Sequence, residues 1–320
     1  MKAPPLLVSF SSIDSYISAL NPALRFQYET EIRALFDKGL PPVVSASCLA
    51  LLFGYSVRFV NAMCLKNHRY FREFTIKQGK KTRLIKSPKV SIKVIQKWFG
   101  THLASLLTVE DYVYGFTPGK SAVQAASKHC NARWIYSVDI KNFFSSTTDD
   151  IIKSSLLELG YSRKAVELIV PLCCFGHTLA QGSPSSPVIS NLVMRATDSV
   201  LFSLSEKYGA TFTRYADDIV FSGRDEFPVS LKEELKGVFE NTCWKLSPSK
   251  EYFADSAVGQ RLKVHGLLVA GSKVRLTKGY RNKLRAYRFM TDKGKVSGKD
   301  HERMMGHISY ADSVARLSEQ

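Results

Sequence analysis

The run RWIYSVDI, residues 133–140, constrains the fold of this chain more than any other stretch. It is short, apolar and rich in β-branched and aromatic residues, so it predicts a buried strand that delivers a carboxylate, Asp139, at its end. Residues 211–222, TFTRYADDIVFS, divide into two short strands around an acidic turn, which predicts a hairpin with Asp217 and Asp218 at its tip. With both elements in one sheet, three acids converge at its end. Such convergence is electrostatically costly without divalent cations, and Mg²⁺ favours carboxylate and phosphate oxygens. Two ions there could clamp the attacking and leaving oxygens of a phosphoryl transfer. Taken alone, Asp217-Asp218 also fits an ordinary acidic turn, because aspartate favours turns.

The remaining periodicity fills in the architecture. Residues 22 to about 70 are helical in pattern, with Asn21-Pro22 opening ALRFQYETEIRALF and SASCLALLFG following the Pro41-Pro42 break. Next, YFREFTIKQGKKTRLIKSP alternates on both sides of Gln78-Gly79-Lys80, a hairpin with a basic turn. A helix follows Pro88, and another covers DDIIKSSLLELG after the buried strand. The loop QGSPSSP leads into the helix SNLVMRATDSVLFSL, and small residues there let backbone approach a ligand closely. A helix over VSLKEELKGVFENTCW, strands in RLKVHGLLVAGSKVRL and two basic helices from Lys278 complete the chain. The order strand, helix, hairpin, helix, strand predicts an α+β fold, an antiparallel sheet of split βαβ type with helices on one face.

A formal charge of +17, from 45 Lys and Arg against 28 Asp and Glu, points to a polyanionic partner, and nucleic acid leads because phosphate contacts release condensed counterions. The six cysteines show no CxxC spacing and read as reduced core residues. The start, MKAPPLLVSFSSIDSY, is too polar and broken for an export leader, and no window approaches the roughly 18 apolar residues needed to cross a bilayer. A cytoplasmic protein without membrane contact is expected.

Seven segments in order, TRLIKSP, GFTPGKS, SVDIKNFF, QGSPSSPVISN, RYADD, SPSK and KVHGLLV, resemble the reverse transcriptase family from about Phe71 to Leu276. The resemblance implies a right-hand polymerase. It assigns residues 1–70 to a helical N-terminal lobe and 71–130 to fingers. A palm would cover 131–276, with an insertion at about 150–190, and a short basic thumb 277–320. By the same resemblance, Asp139, Asp217 and Asp218 are catalytic and bind two Mg²⁺ ions, with the Ile140 carbonyl as a backbone ligand. Phe144, five residues after Asp139, stands where the family places an aromatic gate against the ribose 2′-OH, whereas Phe143 reads as core. Arg83 matches the arginine that grips the incoming triphosphate, a role suited to a bidentate guanidinium, with Lys80 or Lys81 assisting. Gln181 and Gly182 match the loop beside nucleotide and template, and Lys250 the lysine near the leaving pyrophosphate, a general acid.

KVHGLLV resembles the turn that positions the primer end, with Gly266 allowing close approach; here His265 replaces the threonine of the retron Val-Thr-Gly triplet. QAASKH resembles the retron Asn-Ala-x-x-His segment, with Ala125 in place of asparagine and His129 retained. Group II intron maturases share these motifs but carry long thumbs and further domains. About 45 residues follow Leu276, so a compact retron-type enzyme is expected. Such enzymes copy a dedicated structured RNA into single-stranded DNA, priming from a guanosine 2′-OH within it. Arg281, Lys283, Arg285, Tyr287 and Arg288 would grip an RNA stem. The implied partners are this non-coding RNA, its RNA–DNA product, deoxynucleotides and an effector protein of the same operon acting in antiphage defence. A defence reverse transcriptase without a retron RNA, and an idle RNA-binding protein of the same fold, are the alternatives.

Overall fold

The computed structural model describes residues 10–79, 81–107, 109–269, 271–294 and 296–317. Most of the segment judged against an export leader, and Lys80, therefore lie outside the described residues. The chain divides into two units: one holds the residues up to Val109, Lys141–Ala196 and Thr242–Lys245, the other Glu110–Ile140, Thr197–Asn241 and the residues from Leu246 on.

In the first unit, α1 (Ile13–Ala19), α2 (Pro22–Asp37), α3 (Ala46–Phe53) and α4 (Val57–Leu65) start at Ser12, Asn21, Ser45 and Ser56. Each of these side chains accepts a first-turn backbone N–H, which satisfies donors that a helix end leaves orphaned. α1 lies upstream of the stretch expected to be helical. The basic hairpin forms as predicted, β1 (Phe71–Gln78) pairing antiparallel with β2 (Lys81–Pro88), and α5 (Val90–Leu106) follows. After α7 (Phe143–Ser146), α8 (Asp149–Leu159) and α9 (Arg163–Cys173), a two-residue ladder joins β4 (Cys174–Phe175) to β5 (Thr178–Leu179). The long α10 (Ser186–Lys207) contributes its first half here and its second half to the other unit.

The second unit contains α6 (Ala122–Ser127) and a four-stranded antiparallel sheet. Its strands are β3 (Trp134–Asp139), β6 (Thr211–Tyr215), β7 (Asp218–Gly223) and β8 (Tyr252–Asp255), in the order β6-β7-β3-β8. A smaller sheet holds β9 (Lys263–Val264), β10 (Leu267–Leu268) and β11 (Arg275–Leu276). α11 (Val229–Glu240), α12 (Lys278–Asp292) and α13 (Gly298–Leu317) complete the unit. The helix expected to run on to Trp244 stops at Glu240. Thr242 explains the stop: its hydroxyl accepts the Trp244 N–H and donates to the Trp244 carbonyl, both at 3.2 Å, a local pairing that competes with the helical ladder.

Alternation along paired strands sorts the large sheet into two faces. Trp134, Tyr136 and Phe253 lie on one, where the Phe227 ring packs 5.0, 5.7 and 4.6 Å from them. Ile135, Val220 and Ala254 lie on the other and share a core with Val123 and Ala126 of α6, Val264 and Leu267 of the small sheet, and Val314 of α13. His129, fully buried beside this core, sets one ring nitrogen 2.7 Å from the Ser222 hydroxyl and the other 2.7 Å from the Thr213 hydroxyl. Burial, with a smaller contribution from the nearby His265, drives its pKa down to about 3, so the ring is neutral and staples β6 to β7.

All six cysteines are free thiols. Among the described residues no single helix is long and apolar enough to cross a membrane; α3 and α4 reach that composition only together, across a bend of 116°.

The His129 staple generates a stability prediction. His129→Leu leaves the Ser222 and Thr213 hydroxyls buried without the ring, and unfolding by urea is expected to show a loss of at least about 2 kcal/mol. His129→Gln is expected to lose less.

Candidate active site

Three acids meet at one end of the large sheet. Asp139, the last residue of β3, is the register partner of Asp218, the first residue of β7, so both carboxylates project from the same face. Asp217 lies in the two-residue turn that joins Tyr215 to Asp218, and its carbonyl accepts the Ile140 N–H at 2.9 Å. The turn is strained, because Ala216 has a φ of 58°, a left-handed conformation that side chains disfavour.

Two features hold this turn. Arg214, fully buried, makes a bidentate pair with Asp198 of α10, Nε to Oδ1 at 2.6 Å and Nη2 to Oδ2 at 2.7 Å, while Nη1 donates to the Ala216 carbonyl at 3.1 Å. Gly115 lies against the turn from the other side; a Cβ there would stand 2.1 Å from the Ala216 nitrogen. The Tyr114 N–H donates to the Arg214 carbonyl at 2.8 Å and completes the brace. The motifs assign none of these residues a role. Arg214 and Gly115 stand inside the matching segments, but Asp198 carries no signal, since an isolated helical aspartate reads as solvated.

The electrostatics of the acids are uneven. Burial, and the neighbouring Asp217 and Asp218, push the Asp139 carboxyl up to about 6 even though Lys250 bonds it. The same Lys250 ammonium stands 3.9 Å from Asp217, so it acts as a shared counter-cation. His265, with a φ of 49° and a side chain only 7% exposed, sets Nδ1 3.0 Å from Asp218 and its ring 5.2 Å from Tyr215. Its Nε2 is buried and has no hydrogen-bond partner among the described residues. His265, in the segment that resembles the primer-positioning turn, thus rests on one of the acids. Among the described residues no three His, Cys, Asp or Glu side chains stand together as a finished ligand set. Lys250 and His265 instead occupy carboxylate oxygens of the triad, and three carboxylates at one sheet end against one lysine remain a donor set that hard divalent cations fit.

The other predicted residues fall into groups. In the first unit, Arg83 pairs with Ile76, on the hairpin face that also carries Ile85. The Gln181 carbonyl accepts the Lys86 N–H at 2.8 Å, and a Cβ on Gly182, at φ +123°, would stand 3.0 Å from Ile85 Cγ2. Gln181 and Gly182 therefore abut the hairpin that carries Arg83. Phe144 is half-buried in that unit, whereas Phe143 is core, its ring 6.3 Å from Trp244. In the second unit, Gly266 has a φ of 79° with open space where a Cβ would be. Arg281, Lys283 and Arg285 are exposed on α12, but Tyr287 packs 5.5 Å from His307 and Arg288 pairs with Asp312 at 2.9 Å, both on α13.

Comparison with known proteins adds a second line of observation. The family described as "Reverse transcriptase (RNA-dependent DNA polymerase)" matches residues 76–282. The chain is 27% identical to the retron Ec86 reverse transcriptase of Escherichia coli, over 88% of each chain. It is 31% identical to the retron Mx65 reverse transcriptase of Myxococcus xanthus, over 58% of this chain and 49% of that one, so it spans about half of that relative's length. Among solved structures, telomerase from Candida albicans in complex with a fragment of telomeric RNA aligns at a TM-score of 0.49 and 10% identity, over 69% of this chain and 50% of that one.

The raised carboxyl of Asp139 predicts a pH signature. Its favourable contribution to folding is fully present below 3.8, its ordinary value, and is lost as pH rises through about 6. With divalent cations chelated, Asp139→Asn is expected to melt at a higher temperature than the parent chain at about pH 8, the gap closing as the solution is acidified. Calorimetry across that range checks it.

Proposed function

The chain belongs to the reverse transcriptase (RNA-dependent DNA polymerase) family, of the bacterial retron type and with the α+β right-hand polymerase fold, and on that premise we propose how it works. It copies a cognate structured non-coding RNA into single-stranded DNA, primed from an RNA 2′-OH, in the cytoplasm and in partnership with an effector of antiphage defence. One observation carries the catalytic assignment: Asp139 and Asp218 are register partners, with Asp217 in the adjoining turn. Asp139, Asp217 and Asp218, with the Ile140 carbonyl, would hold two magnesium ions, which supply Lewis-acid stabilisation of the attacking and leaving oxygens when bound.

The chain's own groups do the rest. Lys250, beside Asp139 and Asp217, is the general acid that would protonate the leaving pyrophosphate. Arg83 grips the triphosphate through its planar fork. Gln181 and Gly182 line the nucleotide and template base, and the Phe144 ring excludes a 2′-OH. His265 fixes the Asp218 rotamer while Gly266 lets the primer backbone approach. Arg281, Lys283 and Arg285 contact the RNA stem, with Tyr287 and Arg288 ordering α12 against α13. In this reading residues 71–130 are the fingers, 131–276 the palm and 277–320 the thumb.

Two measurements test this reading. Asp217→Asn and Asp218→Asn are each expected to reduce primer extension below detection while RNA binding survives; full extension in either variant refutes the assignment. Phe144→Ala is expected to admit ribonucleotides at least about tenfold more readily, a change of about 1.4 kcal/mol in discrimination. Unaltered sugar selection in competition assays refutes the gate.

A further inference from the structure

The basic charge of the chain is concentrated. Of its net +17, residues 58–97 carry twelve Lys or Arg against one acid, Glu73. Part of this run belongs to the hairpin of Arg83, but part lies on elements that hold none of the residues assigned to chemistry. Arg58 is in the first turn of α4, Arg69 in the short 3₁₀ turn Asn67–Tyr70, Lys89 at the N-cap of α5 and Lys93 one turn further on.

The fold gathers these four. The Lys89 N–H donates to the Tyr70 carbonyl at 2.7 Å, and the Tyr55 hydroxyl reaches the Ser91 carbonyl at 3.5 Å. The Phe59 ring stands 5.3 Å from Tyr55 and 5.8 Å from Tyr70. One aromatic support therefore underlies the start of α4, the 3₁₀ turn and the start of α5. Arg58, Arg69, Lys89 and Lys93 are all exposed, and among the described residues none of them forms an ion pair.

Nothing in the folding of this region calls for the charge. Lys89 makes no side-chain cap, and lysine at the start of a helix opposes the macrodipole, where Ser, Asp or Glu would stabilise. Like charges four residues apart also repel, by a few tenths of a kcal/mol. Placing cations here works against α5, so the benefit lies outside the fold. We propose that this face docks the phosphate backbone of a base-paired RNA stem. Nucleic-acid surfaces are polar and strongly positive, whereas protein interfaces centre on apolar and aromatic anchors with charge at the rim. Here the rings engage one another underneath and the cations face outward, which suits recognition of a duplex by shape and phosphate. The proposal rests on the reading of the chain as an enzyme that handles structured RNA, but on none of its catalytic residues.

The test is the full chain carrying Lys89→Glu and Lys93→Glu. Glutamate at the N-terminal end of a helix complements the macrodipole that lysine opposes, so the variant is expected to fold. Binding of a labelled RNA hairpin, with a stem of about 16 base pairs, is followed by anisotropy over a range of salt. The expected result is at least a tenfold loss of affinity at about 0.15 M ionic strength and a shallower salt dependence, with a slope reduced by about 2, near 0.9 for each phosphate that is no longer neutralised. Extension of a short preannealed primer–template is expected to stay within about twofold of the parent chain. Unchanged hairpin affinity and slope overturn the proposal. So does a loss confined to a polyglutamate peptide with RNA binding intact, which assigns the face to an acidic protein. A parent chain that binds the hairpin through these lysines yet extends no primer leaves the surface standing and refutes the polymerase reading instead.

Discussion

Arg214 is enclosed on every side, and a guanidinium in that position cannot shed its proton to escape the cost of burial. It must be paired, and Asp198 pairs it through both oxygens. Its Nη1 in turn donates to the Ala216 carbonyl. That bond fixes the turn in a conformation an alanine would not choose, and Gly115 closes the opposite side where any side chain would collide. The position of Asp217 follows from the turn, and the position of Asp218 from its register with Asp139. Removing one member of a buried ion pair costs about 3–5 kcal/mol, so the acids are held by an interaction stronger than the strain they carry.

The acid-bearing face of the sheet is also its most polar inner surface. Thr213, Ser222, Tyr215 and Asp218 lie on it, and two histidines engage them in different ways. His129 is neutral and bonded at both nitrogens, and so acts as a fixed crosspiece between strands. His265 is half-satisfied: its Nδ1 meets Asp218 and its Nε2 has no hydrogen-bond partner among the described residues. His265 thus reaches Asp218 from the turn between β9 and β10.

Charge is distributed by a similar logic. Arg214 is engaged by Asp198 because low dielectric makes an unpaired buried charge expensive, and Lys250, itself exposed, is held by Asp139. On the first unit, cations stand in water, where leaving them unpaired costs little and a polyanion gains counterion-release free energy by meeting them. Arg214, fully buried, positions the turn that carries Asp217, whereas Arg58, Arg69, Lys89 and Lys93 stand exposed.

Much of this was legible in the chain itself. An unbroken apolar, β-branched run marked β3, and two short runs around an acidic turn marked the β6–β7 hairpin, because a strand covered on both faces needs apolar residues along its whole length; the acids stood out at the ends of those runs. The basic hairpin, the Asn21-Pro22 helix start and the core role of Phe143 were readable for the same local reasons. What the chain alone could not disclose depends on contacts between distant residues. Asp198 is one acid in an exposed-looking helical pattern until Arg214 folds onto it, and the end of α11 at Glu240 turns on a Thr242 hydroxyl bond invisible to periodicity. The resting of His265 on Asp218, the capture of Tyr287 and Arg288 by α13 and the gathering of Arg58, Arg69, Lys89 and Lys93 were likewise tertiary decisions. Local sequence determines which elements form and which residues carry chemistry; only packing determines which partner each charge meets, since burial and distance are properties of the assembled chain.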